Sequence, residues 1–243
     1  MNIMNEIERL QEIFDDSKKI VFFTGAGVST ESGIPDFRSV DGLYNMKYKY
    51  PPEEIISHSF FRANPEEFYR FYRDKMIIRG VKPNPAHLKM AEFEKKGKAL
   101  GVVTQNIDGL HSAAGSVNVC ELHGTTAKNY CERCGKYYSL DDILDMDNVP
   151  RCSCGGIIKP DVVLYEEPLD ETTIYRAIDM ISRADCLVIT GTSLVVYPAA
   201  SYVRYFNGKY LVIINKSRTS MDGSADLAIY DSVGKVMSQI EVR

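Results

Sequence analysis

The sequence predicts an α/β fold: a doubly wound parallel sheet with a smaller domain formed by insertions. Three observations carry this expectation. Short apolar runs alternate with helical patterns along most of the 243 residues, the rhythm of parallel strands joined by crossover helices. Four polar, glycine-punctuated runs each follow a strand-like segment, and α/β folds gather ligands at the carboxyl ends of their strands. Two segments, Asn45 to about Arg79 and Thr126 to Lys159, interrupt the rhythm.

Ile3, Ile7, Leu10, Ile13 and Phe14 recur at helical spacing, so the chain is expected to open with an amphipathic helix. Ile20 to Phe23 is a continuous apolar run ending at Thr24-Gly25, as when a strand buried on both faces enters a glycine turn. Asn64-Pro65 and Asn84-Pro85 each set a capping side chain before a proline at the first helical position. The second of these helices is expected to end at Gly97. Ala99–Val103, Val117–Leu122, Cys186–Thr190 and Tyr210–Ile214 follow as strands, with a helix from about Glu171 to Arg183 before the third. The first insertion is rich in Tyr, Phe, Pro and charge and has no strand of its own; the second holds four of the six cysteines. The larger domain is therefore expected to comprise residues 1–44, 80–125 and 160–243, and the smaller one residues 45–79 and 126–159.

Composition excludes several classes. A formal charge of −4 and a pI near 5.7 give no basic field for gripping phosphate backbones, so no direct nucleic-acid binding is expected. An acidic face remains compatible with a Lys-rich peptide. The N-terminus lacks the basic-then-apolar pattern of a signal peptide, and no apolar run is long enough to span a bilayer. A cytoplasmic monomer without membrane association is expected, in which the cysteines do something other than form disulfides.

Gly25-Ala26-Gly27-Val28-Ser29-Thr30 follows a strand, as a phosphate-cradling turn does, although Thr30 stands where the dinucleotide fingerprint has its third glycine. An ordinary strand-to-helix turn is the alternative. Asp36-Phe37-Arg38 lies in a loop between Pro35 and Gly42, where Phe37 and Arg38 either pack the loop or meet a ligand. Gln105, Asn106 and Asp108 follow a strand end, where their side chains can bond ribose hydroxyls and a carboxamide or cap a helix start. His123 directly follows an apolar strand pattern, with a side chain suited to general-base chemistry near neutrality. His58, His87 and His111 are read as structural. Cys131-Glu132-Arg133-Cys134 and Cys152-Ser153-Cys154 can place four thiolates around one Zn²⁺, which would be structural because no coordination position stays open. A redox pair or buried free thiols are the alternatives; Cys120 and Cys186, in strand-like segments, are read as buried thiols.

Taken together and in order, these motifs resemble the sirtuins, the NAD-dependent protein deacylases, in a bacterial-type form consisting of the core alone. The resemblance runs from Gly25-Ala26-Gly27-Val28-Ser29 and Gly33-Ile34-Pro35-Asp36-Phe37-Arg38-Ser39 through Thr104-Gln105-Asn106-Ile107-Asp108-Gly109-Leu110-His111 to Leu122-His123-Gly124-Thr125, the cysteines and Gly191-Thr192-Ser193-Leu194. It implies a Rossmann-like NAD-binding domain, a smaller domain with a structural zinc, and NAD-dependent removal of acetyl groups from protein lysines. NAD would be held by Ala26, Thr30, Asp36, Phe37, Arg38, Gln105, Asn106, Ile107, Asp108, His123, Gly191, Thr192, Ser193, Asn215 and Asp231. His123 and Asn106 would be catalytic, and Val162, Val163 and Leu164 would pair with an extended acetyl-lysine peptide.

The chain departs from the family pattern in three places. One residue, not two, separates Cys152 from Cys154. Tyr165-Glu166-Glu167 stands where sirtuins commonly have Phe-Gly-Glu. Tyr69 matches the tyrosine of sirtuins that prefer acidic acyl chains and is expected at the substrate, but Tyr72 replaces their arginine, so a neutral acyl group is expected. A protein mono-ADP-ribosyltransferase would use the same pocket, and a non-catalytic NAD sensor would bind without turnover.

Overall fold

Strand β1 (Ile20–Thr24) is buried at all five positions, and its residues alternate between two cores. Ile20 and Phe22 face one, Val21 and Phe23 the other, so the strand needs helices on both sides. In this computed structural model, which describes residues 3–37, 42 and 48–243 with side chains from residue 5, it has them. Helices α1 (Ile3–Asp16) and, beyond the first insertion, α5 (Pro85–Lys95) cover one face through Leu10, Ile13, Phe14, Met90 and Phe93. Helix α8 (Glu171–Arg183) covers the other through Ala177, Met180 and Ile181.

The remaining elements follow in chain order. Between β1 and α5 lie a 3₁₀ segment (Ala26–Ser32), α2 (Pro52–Ile55), α3 (His58–Ala63), α4 (Pro65–Phe71) and a π-helical turn (Tyr72–Met76). Asn64 and Asn84 cap α4 and α5 as expected, bonding the backbone N–H of Glu67 and Ala86, and Gly97 just beyond α5 adopts φ +72°. Then come β2 (Ala99–Thr104), α6 (Leu110–Ala113), β3 (Val119–Glu121), β4 (Gly124–Cys131), β5 (Tyr137–Ser139), α7 (Leu140–Leu144) and β6 (Ile158–Val162). After α8 come β7 (Cys186–Thr190), a 3₁₀ segment (Ala199–Tyr205), β8 (Tyr210–Ile214), β9 (Leu227–Ile229) and α9 (Val233–Met237).

The main sheet is parallel throughout, in the order β3-β2-β1-β7-β8-β9. The chain builds outward from β1 on one side and from β7 on the other. The crevice at their carboxyl ends is therefore the switch point where such sheets bind ligands. β3 is shorter than expected: Val117 is 91% exposed, and its N–H and that of Asn118 bond the Glu94 carboxylate at 3.0 and 2.6 Å instead of a strand.

A second, antiparallel sheet, β5-β4-β6, rises from the second insertion. Its Cys131, Tyr138 and Ile158 share a core with Phe60, Phe61, Phe68, Tyr69 and Tyr72 of the first insertion, so the two insertions form one smaller lobe. Arg73 adds a polar tie by donating to the carbonyls of Met146 and Asn148, beyond the end of α7. Among the described residues, no helix is long and apolar enough to cross a membrane.

Candidate active site

Thr24, Thr104 and Thr190 form one rung across the ends of β1, β2 and β7. The loops beyond this rung meet the smaller lobe around a cleft of about 710 Å³. Every described residue assigned above to nucleotide or substrate lines this cleft, Tyr69 and Asp231 excepted; Arg38 lies outside the described residues. Tyr69 is 1% exposed, its ring packs edge-on against Phe61, Phe68 and Tyr72, and its hydroxyl donates to the Ile158 carbonyl. It belongs to the lobe's core and not to the substrate. Lys75, Met76, Ile77 and Ile78, further along the chain, form that wall instead. Asp231 turns to Lys235 at 2.6 Å and to its neighbour's backbone, the N–H of Ser232, at 2.7 Å, while Lys216, Ser217 and Val233 line the cleft nearby.

The glycine turn is built by close backbone packing. Gly27 N–H donates to the Gly191 carbonyl at 2.8 Å, and Gly25 N–H to that of Thr190 at 3.1 Å. In place of the expected α-helix start, this contact leads into the 3₁₀ segment. Gly191 has φ +61°, and a Cβ there would lie 2.3 Å from the Val28 nitrogen. Backbone strain and overlap add, so Gly191→Ala is expected to cost about 2–4 kcal/mol and lower the melting temperature by several degrees. An unchanged melting temperature would show that the two loops yield freely.

Beneath the cleft, the polar side chains fix one another. Ser29 Oγ donates to Asp108 Oδ2 at 2.7 Å, so it must accept from Asn106 Nδ2 at 3.2 Å and from His87 Nε2 at 3.4 Å. The Asn106 amide is thereby oriented, and its Oδ1 is the acceptor left for a ligand. Asp108 also caps the start of α6 through the Leu110 N–H at 2.8 Å, the capping role open to this segment, while it lines the cleft. His87 Nδ1 accepts from the Asn84 N–H at 3.3 Å, the structural role expected of it. His111 Nε2 meets Thr24 Oγ1 at 3.0 Å. Burial holds both rings neutral, with pKa values pushed down to about 4 for His87 and about 3 for His111.

His123, just beyond β3, is oriented by one bond. Its Nδ1 lies 2.9 Å from the Gln105 carbonyl. A carbonyl only accepts, so Nδ1 carries the proton and Nε2 keeps its lone pair. Burial lowers the pKa below the usual 6.5, with the Gln105 carbonyl opposing. The result is a neutral base on the cleft wall. Gln105 Nε2 reaches Thr192 Oγ1 at 3.0 Å, and Asn215 Nδ2 reaches the Thr192 carbonyl at 3.2 Å, which ties the β2, β7 and β8 loops together.

In the smaller lobe, the sulfurs of Cys131, Cys134, Cys152 and Cys154 lie within 4.8 Å of one another. The pairs Cys131–Cys154, Cys134–Cys154 and Cys134–Cys152 are at 3.4, 3.5 and 3.6 Å. Four thiolates about 2.3 Å from Zn²⁺ would sit about 3.8 Å apart, so the set fits one tetrahedral zinc. Gly135 and Gly155, at φ +69° and +84°, make the turns that bring each pair together, and the shortened second pair still converges. Cys120 and Cys186 are buried thiols, as expected; burial pushes Cys186 up to about 12.

Sequence reasoning quoted Ser29 within the glycine turn but gave it no role, and it missed the link from His87 to the cleft. The Asn84–His87 capping spacing was visible in the sequence; the contact with Ser29, 58 residues away, has no local signature.

The Sir2 family model matches residues 25–198. An NAD-dependent protein deacetylase of Clostridium perfringens is 57% identical over 240 residues, covering 97% of this chain and 98% of that protein. A solved Sir2 variant with a deacetylated p53 peptide and 3′-O-acetyl ADP-ribose superimposes with a TM-score of 0.88 at 39% identity, covering 96% of each chain. A Sir2 structure with p53 peptide and NAD⁺ gives 0.85 at 39% identity, covering 95% of each.

Proposed function

The chain belongs to the Sir2 family, and from that premise we propose that it removes acetyl groups from protein lysines, consuming NAD and releasing nicotinamide and O-acetyl-ADP-ribose. The observation that carries the reading is the placing of a neutral His123, an oriented Asn106 and the glycine turn on one cleft. Residues 1–44, 80–125 and 160–243 serve as the NAD-binding domain on this reading, and 45–79 with 126–159 as the smaller one.

NAD supplies the ribosyl carbon that accepts the acyl group as nicotinamide leaves. Ala26, Thr30, Gly191, Thr192, Ser193 and Asn215 would hold its adenosine and phosphate side. Asp36, Phe37, Gln105, Asn106, Ile107 and Asp108 would hold the nicotinamide ribose and amide. His123 Nε2 takes a proton, and the imidazolium that forms is held by Nδ1–H on the Gln105 carbonyl. Phe37 helps exclude water, which would otherwise capture a cationic sugar. Val162, Val163 and Leu164 receive the acetyl-lysine peptide. Met76, Ile77 and Ile78 form an apolar wall, and Lys75 beside them is paired with Asp74 at 3.0 Å, which supports a neutral acyl group. The four cysteines would hold one structural zinc.

The test is nicotinamide release from NAD with and without an acetyl-lysine peptide. Release that needs the peptide and yields acetylated ADP-ribose is expected; release without deacetylation would mean ADP-ribosyl transfer or NAD hydrolysis instead. The pH profile is a second check. A base acts only when unprotonated, and His123 has its pKa lowered, so the acidic limb of kcat/KM is expected below pH 6.5, with activity falling as pH drops through it. A limb centred above 7 would point to another base.

A further inference from the structure

We propose that Glu166 is a positioning residue for peptide docking: its carboxylate, clamped to Ser59 of the smaller lobe, holds the peptide-pairing segment in a left-handed turn. The proposal rests on the reading of Val162–Leu164 as the segment that receives the peptide. Three observations lead to it. Glu166 has φ +76°, a conformation that costs a side-chain-bearing residue energy unless something holds it. Its Oε2 accepts from the Ser59 N–H at 2.8 Å and its Oε1 from the Ser59 hydroxyl at 2.9 Å. The residues on either side are tied to the same small-lobe stretch. Tyr165 N–H donates to the Ile56 carbonyl and His58 N–H to the Tyr165 carbonyl, both at 3.0 Å, while Glu167 pairs with His58 Nδ1 at 2.8 Å.

Glu167 also closes the segment on itself, accepting from the Leu164 N–H at 2.8 Å and Lys159 Nζ at 3.0 Å. Leu164, Tyr165, Glu166 and Glu167 all line the cleft. A glycine would reach the turn at little cost and leave the segment loose. Glutamate reaches it at a cost that the Ser59 clamp offsets, so the edge offered to the peptide is tied to the position of α3.

Two substitutions separate the turn from the charge. Glu166→Ala loses the clamp and keeps the left-handed cost; Glu166→Gly loses both. The peptide KM, measured at saturating NAD, is expected to rise about tenfold in Glu166→Ala and clearly less in Glu166→Gly. In both variants kcat and the KM for NAD should stay within about twofold, since neither the base nor the nucleotide loops are touched. Ser59→Ala, which removes one of the two bonds, should fall between wild type and Glu166→Ala. Equal impairment by Ala and Gly together with a wild-type KM in Ser59→Ala would overturn the proposal, because the carboxylate would then be acting on the peptide itself; so would a wild-type KM in both Glu166 variants. Hydrogen exchange at the Glu166 and Glu167 amides gives a readout independent of activity. Faster exchange in Glu166→Ala supports the clamp and unchanged exchange overturns it. A wild-type protein that deacetylates no peptide would defeat the deacetylase reading and leave the exchange result to decide the clamp.

Discussion

His123→Ala is expected to lower kcat for deacetylation by about a thousandfold, within the range that a positioned general base contributes. NAD affinity and melting temperature should change little. The imidazole sits on the cleft wall and its one assigned bond is to a backbone carbonyl, so its loss leaves no buried charge behind. The comparison that isolates the proton-transfer role is His123→Asn, which can keep a donor toward Gln105 but offers no base of comparable strength. If both variants fail alike in turnover while binding NAD, the ring acts as a base. If Asn restores a tenth or more of the activity, the residue mainly holds the Gln105 loop in place.

Removal of zinc is expected to have the largest structural effect. Structural zinc sites contribute on the order of 10 kcal/mol of binding free energy, and here the ligands stand at the end of β4 (Cys131), on the turn from β4 to β5 (Cys134) and on the turn that precedes β6 (Cys152 and Cys154). Cys131 and Cys152 are also members of the core that includes Phe60, Phe61 and Phe68. Loss of the metal should therefore loosen both insertions and the cleft wall they form. If about 5 kcal/mol of that free energy reaches global stability, the melting temperature of a chain this size falls by about 10–20 °C. Cys134→Ser tests this at the one exposed ligand, where the change disturbs packing least. Elemental analysis should read one zinc per wild-type chain and much less in the variant, with antiparallel-sheet circular dichroism lost alongside. An active, stable protein purified without zinc would defeat the assignment.

Much of the sheet was legible because its strands are buried on both faces and read as unbroken apolar runs, as in Ile20 to Phe23 and Cys186–Thr190. The antiparallel sheet was not. β4, with the sequence Gly-Thr-Thr-Ala-Lys-Asn-Tyr-Cys, is largely polar, because one side faces solvent and the other packs against an insertion far away in sequence. β9 has three residues, too few for periodicity to register. The strand-end residues that line the cleft were legible because each loop follows a recognisable strand. Tyr69 was misplaced because matching positions on a helix gives no information about which way the helix faces. It turns into the aromatic core of the smaller lobe, against Phe61, Phe68 and Tyr72, instead of toward the cleft. Asp231 lies just outside the cleft lining, its carboxylate taken by Lys235 one helical turn on, a local pairing that the strand-end pattern does not reveal.

The sheet order also sets a timetable for the newly made chain. Ile20 finds its two neighbours at Ala99 and Cys186. During synthesis at about 5–20 residues per second, β1 must therefore wait on the order of ten seconds or more before its second edge is covered. Through that interval an apolar strand has a vacant side, and contacts this distant along the chain form slowly. Vectorial synthesis thus exposes the middle of the finished sheet longest, and a chaperone that shields the first hundred residues would act where this topology is most prone to aggregate.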